Sequence, residues 1–141
     1  MLKAGNVALI RNSNYAIKKI VDGMGMFWTK ISKKMFISLY LVTKPTPEKI
    51  IDAIDSDYSS PKDGKATTWL HRYIRGLSNE KLILFLRFVT ASSIIQPKMV
   101  IQLRFVDQDA GCLRPTAMTC FKILFLPRQY SSFSELSRNM D

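Results

Sequence analysis

The chain has 141 residues and a formal net charge of +10 at pH 7, which allows one domain with a buried core. Its 47% hydrophobic and 23% charged residues exclude an intrinsically disordered protein. The strongest apolar run, residues 82–86, is too short to cross a bilayer, so no membrane partner is expected. The positive charge would permit nucleic acid binding, but no aromatic and basic pattern accompanies it, so this partner is not favoured.

The cysteines and the histidine limit the possible chemistry. Cys112 and Cys120 are too few for a disulfide framework, and no signal peptide opens the chain. We therefore expect free thiols in a reducing compartment, the cytoplasm first and the nucleus as a second choice. With His71 as the sole histidine, soft ligands for zinc are too few, and a glycine-rich phosphate loop is missing. Neither a metal nor a cofactor is expected.

The first part of the chain indicates helical structure. Apolar residues recur there at helical spacing: Ile17, Ile20, Val21 and Met24, then Phe36, Leu39 and Tyr40. Residues 43–47, Thr-Lys-Pro-Thr-Pro, break any helix and predict a linker or hinge. We therefore divide the chain into a helical segment, residues 1–44, and a domain, residues 45–141.

Three helices are predicted in the first half of that domain. The first begins with Thr46 as its N-cap and Pro47 in the first helical position, and it should present Ile50, Ile51 and Ile54. Residues 55–64 predict a loop. An apolar stripe then predicts the second helix: Trp69, Leu70, Tyr73, Ile74 and Leu77. Ser78 can cap the third helix, whose body at residues 82–89 is apolar nearly all round and should be buried.

The second half predicts two strands and a last helix. Residues 99–105 alternate between apolar and polar side chains, which is typical of a half-buried strand. After a polar loop at residues 107–116, residues 120–126 indicate a second, more buried strand. Residues 132–135, Ser-Phe-Ser-Glu, form a capping box for a final helix. The order of elements predicts a small α+β domain, with a few-stranded sheet packed by helices and a short helical segment before it.

Cys120 has the strongest case for chemistry. It stands where a loop meets an apolar strand, so its side chain could be held rigidly and still face solvent. The alternative is a small buried core residue, which is the usual role of a free cysteine. Nothing in the spacing brings His71 towards Cys120, so a cysteine–histidine protease is not predicted. Thiol–thioester exchange still fits, because the acyl group arrives already activated and thiols are intrinsically nucleophilic.

The segment around this cysteine resembles a known family. Residues 114–121, Arg-Pro-Thr-Ala-Met-Thr-Cys-Phe, resemble the catalytic loop of HECT-type ubiquitin-protein ligases, where a Pro-x-Ala-x-Thr-Cys pattern surrounds the acceptor cysteine. Leu126-Pro127 follow as the family's strand ending does, and Tyr130 matches its usual continuation. The resemblance covers about residues 45–141, which corresponds to the C-terminal catalytic lobe of that family.

The resemblance implies a reaction and its participants. Cys120 would accept ubiquitin as a thioester from a ubiquitin-conjugating enzyme and pass it to a lysine of a protein substrate. Three neighbours would support it: Thr119 by positioning the nucleophile, Pro115 by fixing the loop through its locked φ, and Phe121 by packing the strand into the core. The lobe that docks the conjugating enzyme would precede this region, so residues 1–44 would hold at most its last helical part and the interlobe hinge.

Two positions depart from the family pattern. Met118 stands where many members carry His or Asn, so polar assistance from this side chain is not expected. Ala91 stands where Gly is common, at the end of a segment, residues 86–93, that otherwise resembles the family. Many members also continue past the last helix to an aromatic residue that aids transfer, whereas this sequence ends at Asp141. Because of Met118 and this difference, a lobe that keeps the fold but only binds ubiquitin or another protein is an alternative hypothesis. A basic nucleic acid binder is the third, and it predicts affinity that falls steeply with salt.

Overall fold

The computed structural model describes residues 18–19, 22–25, 30–57, 60–107 and 113–141. The chain divides into two compact units, Met1–Leu41 and Val42–Asp141. In the first unit, residues 22–25 are helical and Met24 is exposed, whereas Ile17, Ile20 and Val21 lie outside the described residues. Helix α1, Lys33–Thr43, carries the second predicted stripe and has no buried residue. Within the described part of the chain, no helix has the length and apolar character needed to span a membrane.

The second unit is a small α+β domain, as predicted. Its described elements, in chain order, are α2 (Pro47–Asp52), β1 (Ile54–Ser56), α3 (Pro61–Gly76), α4 (Asn79–Thr90), β2 (Ile101–Val106), β3 (Thr116–Met118), β4 (Ile123–Pro127) and α5 (Phe133–Met140). The strands form one sheet in the order β1-β2-β4-β3. Strands β1, β2 and β4 run parallel, and β3 runs antiparallel to β4.

The predicted helix starts are confirmed by their caps. The side chain of Thr46 accepts a hydrogen bond from the backbone N–H of Lys49, and Ser78 accepts one from Lys81, both at 3.3 Å. Ser132 accepts from the N–H of Glu135 at 3.2 Å. The Glu135 carboxylate accepts the N–H of Ser131 at 2.7 Å, one residue earlier than a standard capping box, and this bond lowers the pKa of Glu135. Each cap satisfies a backbone donor that the first helical turn leaves open.

The loop predicted at residues 55–64 is wrong at both ends. Helix α2 ends at Asp52, and the following residues enter the sheet as β1, where Ile54 pairs with Ile101. At the other end, Pro61 already begins α3, because the side chain of Ser60 accepts the N–H of Asp63 at 3.3 Å. Ile54 is therefore a strand residue and not part of the helix.

The core lies between the helices and one face of the sheet. The alternation predicted for β2 is confirmed, since Ile101 and Leu103 are buried while Gln102 and Arg104 are exposed. Helix α4 contributes buried residues as predicted: Leu82, Phe85, Leu86 and Val89. Its burial is less complete than predicted, however, because Leu84 is 60% and Phe88 45% exposed. One stripe of the helix packs on the sheet, and the opposite stripe stays apolar and accessible.

Candidate functional site

Cys120 lies in a tight turn between two strands. The prediction of one continuous strand over residues 120–126 is wrong: β4 begins only at Ile123, and residues 119–122 form the turn. The physical reason is β3, which arises inside the predicted loop and pairs antiparallel with β4. Because Met118 is paired directly with Ile123, the chain must reverse its direction between them, as hairpin loops of this length do.

Backbone hydrogen bonds hold this turn at both ends. The N–H of Phe121 donates to the carbonyl of Met118 at 3.1 Å, and the N–H of Lys122 donates to the carbonyl of Thr119 at 3.2 Å. The carbonyl of Lys122 accepts the N–H of Gln102, on the central strand β2, at 2.9 Å. The turn is therefore tied to the middle of the sheet as well as closed on itself.

The Cys120 side chain is free and exposed to solvent. The alternative of a buried core cysteine is thus wrong for this residue, while Cys112 lies outside the described residues. The prediction that Phe121 packs into the core is also wrong, because it belongs to the turn and is 68% exposed. A sulfur at this position can be reached by a large acyl donor, which a thiol inside the core could not be.

The face of the sheet away from the core carries apolar side chains beside this turn. Along β4, Leu124 and Leu126 are fully buried in the core cluster, so Ile123 and Phe125 lie on the opposite face by strand alternation. Neither belongs to the core cluster, although Ile123 is only 9% exposed and Phe125 is half-buried. Met118, 47% exposed, is the cross-strand neighbour of Ile123 on that face. Of these three apolar side chains, Met118 is the exposed one.

The segment before β3 is anchored by Tyr130. The Tyr130 hydroxyl donates to the carbonyl of Leu113 at 2.6 Å, and the tyrosine itself is 7% exposed. Burial, followed by the nearby Glu135 charge, raises the pKa of Tyr130, so the hydroxyl keeps its proton and remains a donor at neutral pH. The match of Tyr130 to the family pattern therefore has a physical basis here, because this residue holds the strand that leads to Cys120.

Pro115 and Thr119 lie on either side of β3. Pro115 is half-buried and borders a cavity of about 340 Å³ between α4 and α5, together with Leu84, Phe88 and Met140. Thr119 is half-buried and supplies the carbonyl that accepts the N–H of Lys122. The supporting roles of these two residues in catalysis stay predictions.

His71 lies on α3, which packs against α2 and α5. Its Nε2 atom is buried and has no hydrogen-bond partner among the described residues. Burial, with a smaller effect of the Arg75 charge, lowers the pKa of His71, so the neutral imidazole is favoured at pH 7. These features are those of a helix residue facing its neighbours, and Cys120 lies in a different element.

Sequence reasoning missed two groups at the site. Lys122 has a φ of 54°, in the left-handed region, and Gln102 supplies the N–H that fastens it to the sheet. A non-glycine residue in this region is uncommon, and no local pattern announced it. The contact with Gln102 joins residues twenty positions apart, so only the pairing of β2 with β4 brings it about.

A comparison with known families gives a match over most of the chain. The family described as HECT-domain (ubiquitin-transferase) matches residues 17–141, which is most of the chain and includes β3, the turn and β4. The comparison with curated proteins finds no match.

Proposed function

We propose, from the premise that this chain belongs to the HECT family of ubiquitin transferases, that Cys120 is the residue that accepts ubiquitin as a thioester. The observation that carries the proposal is the exposed thiol in a turn that backbone hydrogen bonds hold at both ends. Rigid presentation matters because a nucleophile that is already oriented loses little further freedom on reaching the transition state.

The first step exchanges one thioester for another. The Cys120 thiolate attacks the carbonyl carbon of ubiquitin's C-terminal glycine, which is joined to the thiol of a conjugating enzyme. A carbon–sulfur bond to Cys120 forms, the bond to the donor sulfur breaks, and the donor thiolate takes a proton from solvent. Two bonds of the same kind are exchanged, so the step is nearly balanced in energy, and an activated acyl group needs less base assistance than an amide would.

The second step moves ubiquitin to the substrate. The neutral amine of a substrate lysine attacks the thioester carbonyl, and the carbon–nitrogen bond of an isopeptide forms. The carbon–sulfur bond breaks, the Cys120 thiolate is released, and the proton lost by the amine goes to solvent. An amide is more stable than a thioester, so this step runs towards product and restores the free thiol.

The sheet edge beside Cys120 supports an extended acyl donor. Strand β3 is the last strand of the sheet on this side among the described residues, and it runs directly into the turn. An edge strand offers backbone groups with which an extended peptide can pair. Once ubiquitin is joined to the sulfur, even weak contacts with such an edge count, because tethering raises the effective concentration.

The proposal is tested by charging the full chain. The acyl donor is a ubiquitin thioester of a small thiol, which needs no docking lobe, and it is compared with charged conjugating enzyme. We expect an adduct of one ubiquitin that a reducing agent removes. Cys120→Ala should abolish it, and Cys120→Ser should convert any adduct to an oxyester that resists thiols. Cys112→Ala is the matched control and should charge normally. An adduct that persists unchanged in Cys120→Ala would refute the assignment.

A further inference from the structure

Lys122, the last residue of the Cys120 turn, has a backbone conformation that a lysine adopts at a cost. Its φ of 54° lies in the left-handed region, where a Cβ crowds the following carbonyl and where glycine and asparagine are accommodated more easily. Among the described residues, the other non-glycine residues with positive φ are Ala91 and Lys98. Ala91 follows α4 as its C-cap, so its conformation ends a helix, whereas that of Lys122 joins the turn to the sheet.

The backbone N–H and carbonyl of Lys122 form hydrogen bonds with two different parts of the fold. Its N–H donates to Thr119 at 3.2 Å, and this bond closes the turn that carries Cys120. Its carbonyl accepts from Gln102 at 2.9 Å, and this bond belongs to the parallel pairing of β2 and β4. The angle between these peptide planes depends on φ and ψ of this one residue. The conformation of Lys122 therefore sets the direction in which the turn leaves the sheet.

We propose that Lys122 is a positioning residue for acyl transfer at Cys120, and that it acts through its left-handed backbone and not through its ammonium group. The inference rests on the proposed function of Cys120. A side chain that resists a φ near 54° strains both hydrogen bonds: losing the bond to Thr119 opens the turn, and losing the bond from Gln102 releases the turn from the sheet. A reacting atom displaced by about 1 Å can cost about 100-fold in rate, so a loosened turn should slow transfer strongly.

Four substitutions at Lys122 distinguish an effect of its backbone conformation on charging from an effect of its ammonium group. Lys122→Val removes the ammonium and introduces a β-branched side chain that opposes positive φ. Lys122→Gly and Lys122→Asn also remove the ammonium, but both residues adopt this conformation readily. Lys122→Arg keeps the charge and leaves the backbone preference unchanged. The measurement is the maximal rate of single-turnover charging from the small-thiol ubiquitin thioester. If the backbone conformation determines this rate, it should fall about 10- to 100-fold in Lys122→Val and stay unchanged in the other three variants.

Lys98 provides a matched control. It is also a lysine with positive φ, 59°, and it lies in a different turn, closed by the N–H of Met99 on the carbonyl of Gln96 at 3.1 Å. Lys98→Val creates the same local conflict in a turn that borders α2 and lies outside the hairpin of β3 and β4. We expect it to lower the melting temperature about as much as Lys122→Val does while charging at the wild-type rate.

Two further readouts distinguish positioning from a general loss of structure. Alkylation of Cys120 by iodoacetamide, a small reagent with little orientational demand, should proceed at a similar rate in Lys122→Val and wild type. Hydrogen exchange at the Gln102 amide should become faster in Lys122→Val but not in Lys122→Gly, and this measurement needs no ubiquitin.

The outcomes separate this inference from the proposed function. A wild-type chain that forms no adduct would refute the function of Cys120, and the inference with it. If the wild type charges and Lys122→Val charges equally fast, only the inference is wrong. Equal losses in the valine, glycine and asparagine variants would also overturn it, because they would assign the effect to the ammonium group.

Discussion

Comparing Tyr130 with Tyr73 measures how much the hydrogen bond of Tyr130 stabilises the hairpin of β3 and β4 that carries Cys120. They are almost equally buried, at 7% and 8% exposure, so removing either hydroxyl changes little apolar contact. Their hydrogen bonds differ: Tyr130 donates to Leu113 at 2.6 Å, whereas Tyr73 donates to Asp141 at 3.4 Å, beyond the usual range for a hydroxyl donor. Tyr130→Phe and Tyr73→Phe therefore compare a short hydrogen bond with a long one.

The loss in free energy of unfolding expected for Tyr130→Phe depends on how exposed the Leu113 carbonyl is to water. A typical hydrogen bond contributes about 1 kcal/mol net, and a buried acceptor left without its donor costs roughly 1–3 kcal/mol. Leu113 is half-buried, so water can partly replace the phenol, and we expect the free energy of unfolding to fall by about 1–2 kcal/mol. For a folded unit of this size, each kcal/mol lowers the melting temperature by about 4–8 °C, so the drop in Tyr130→Phe should be about 4–16 °C.

Thermal and urea unfolding, followed by circular dichroism, provide the assay. Tyr73→Phe should lower the melting temperature by about 1 °C or less, because its long hydrogen bond leaves little to lose. Tyr130→Phe should also slow charging of Cys120 modestly, since the segment it anchors continues into β3. The reasoning is refuted if Tyr73→Phe is as destabilising as Tyr130→Phe, because the loss would then follow burial and not the hydrogen bond.

Three further predictions concern stability. Ala91→Gly should raise the free energy of unfolding by roughly 0.5–1 kcal/mol: the left-handed cap at φ 56° costs alanine about 1–2 kcal/mol, and the greater freedom of glycine in the unfolded chain cancels part of the gain. Urea denaturation measures it, and an unchanged midpoint would contradict the prediction. Asp63→Asn should lower the free energy of unfolding by about 2–4 kcal/mol, because it removes a fully buried carboxylate that the Arg128 guanidinium binds at 3.0 Å. Asp107→Asn, which removes the exposed carboxylate beside the same guanidinium, should lower it by less than about 1 kcal/mol, and equal losses in the two variants would refute the ranking. Burial, followed by the Asp141 charge, raises the pKa of Tyr73 to about 12, so the stability that depends on its neutral hydroxyl is complete below the unfolded value of 10.0 and is lost as the pH rises towards 12. Unfolding monitored across this range should show the decline, and Tyr73→Phe should make it shallower, because Tyr130, whose pKa is also raised, accounts for the rest.

Local signals in the sequence predicted the helices well. The caps at Thr46, Ser78 and Ser132 were predictable because each rests on a side chain and a backbone N–H three residues apart. The pattern of residues 114–121 is equally local, so it indicates the HECT family without reference to the fold, and the family is confirmed. Ser60 is the same kind of cap, but the polar and proline residues around it favoured a loop.

The short strands were not predictable in this way. Strands β1 and β3 have three residues each, too few to show an alternating pattern, and they exist because distant strands supply their partners. Strand β3 changes the structure around Cys120. Without β3, residues 120–126 look like one apolar strand; with it, Phe121 becomes an exposed turn residue and only Ile123–Pro127 enters the sheet.

By itself, then, the amino-acid order determined the α+β class, the helix starts at Thr46, Ser78 and Ser132, the family and the choice of Cys120 as the candidate acceptor thiol, because each depends on neighbours within a few residues. Tertiary structure alone decided that this thiol is exposed, that Lys122 takes a left-handed conformation and that Gln102 fastens the turn. These features arise where β2, β3 and β4 meet, and pairing between strands far apart in sequence leaves no local pattern to read.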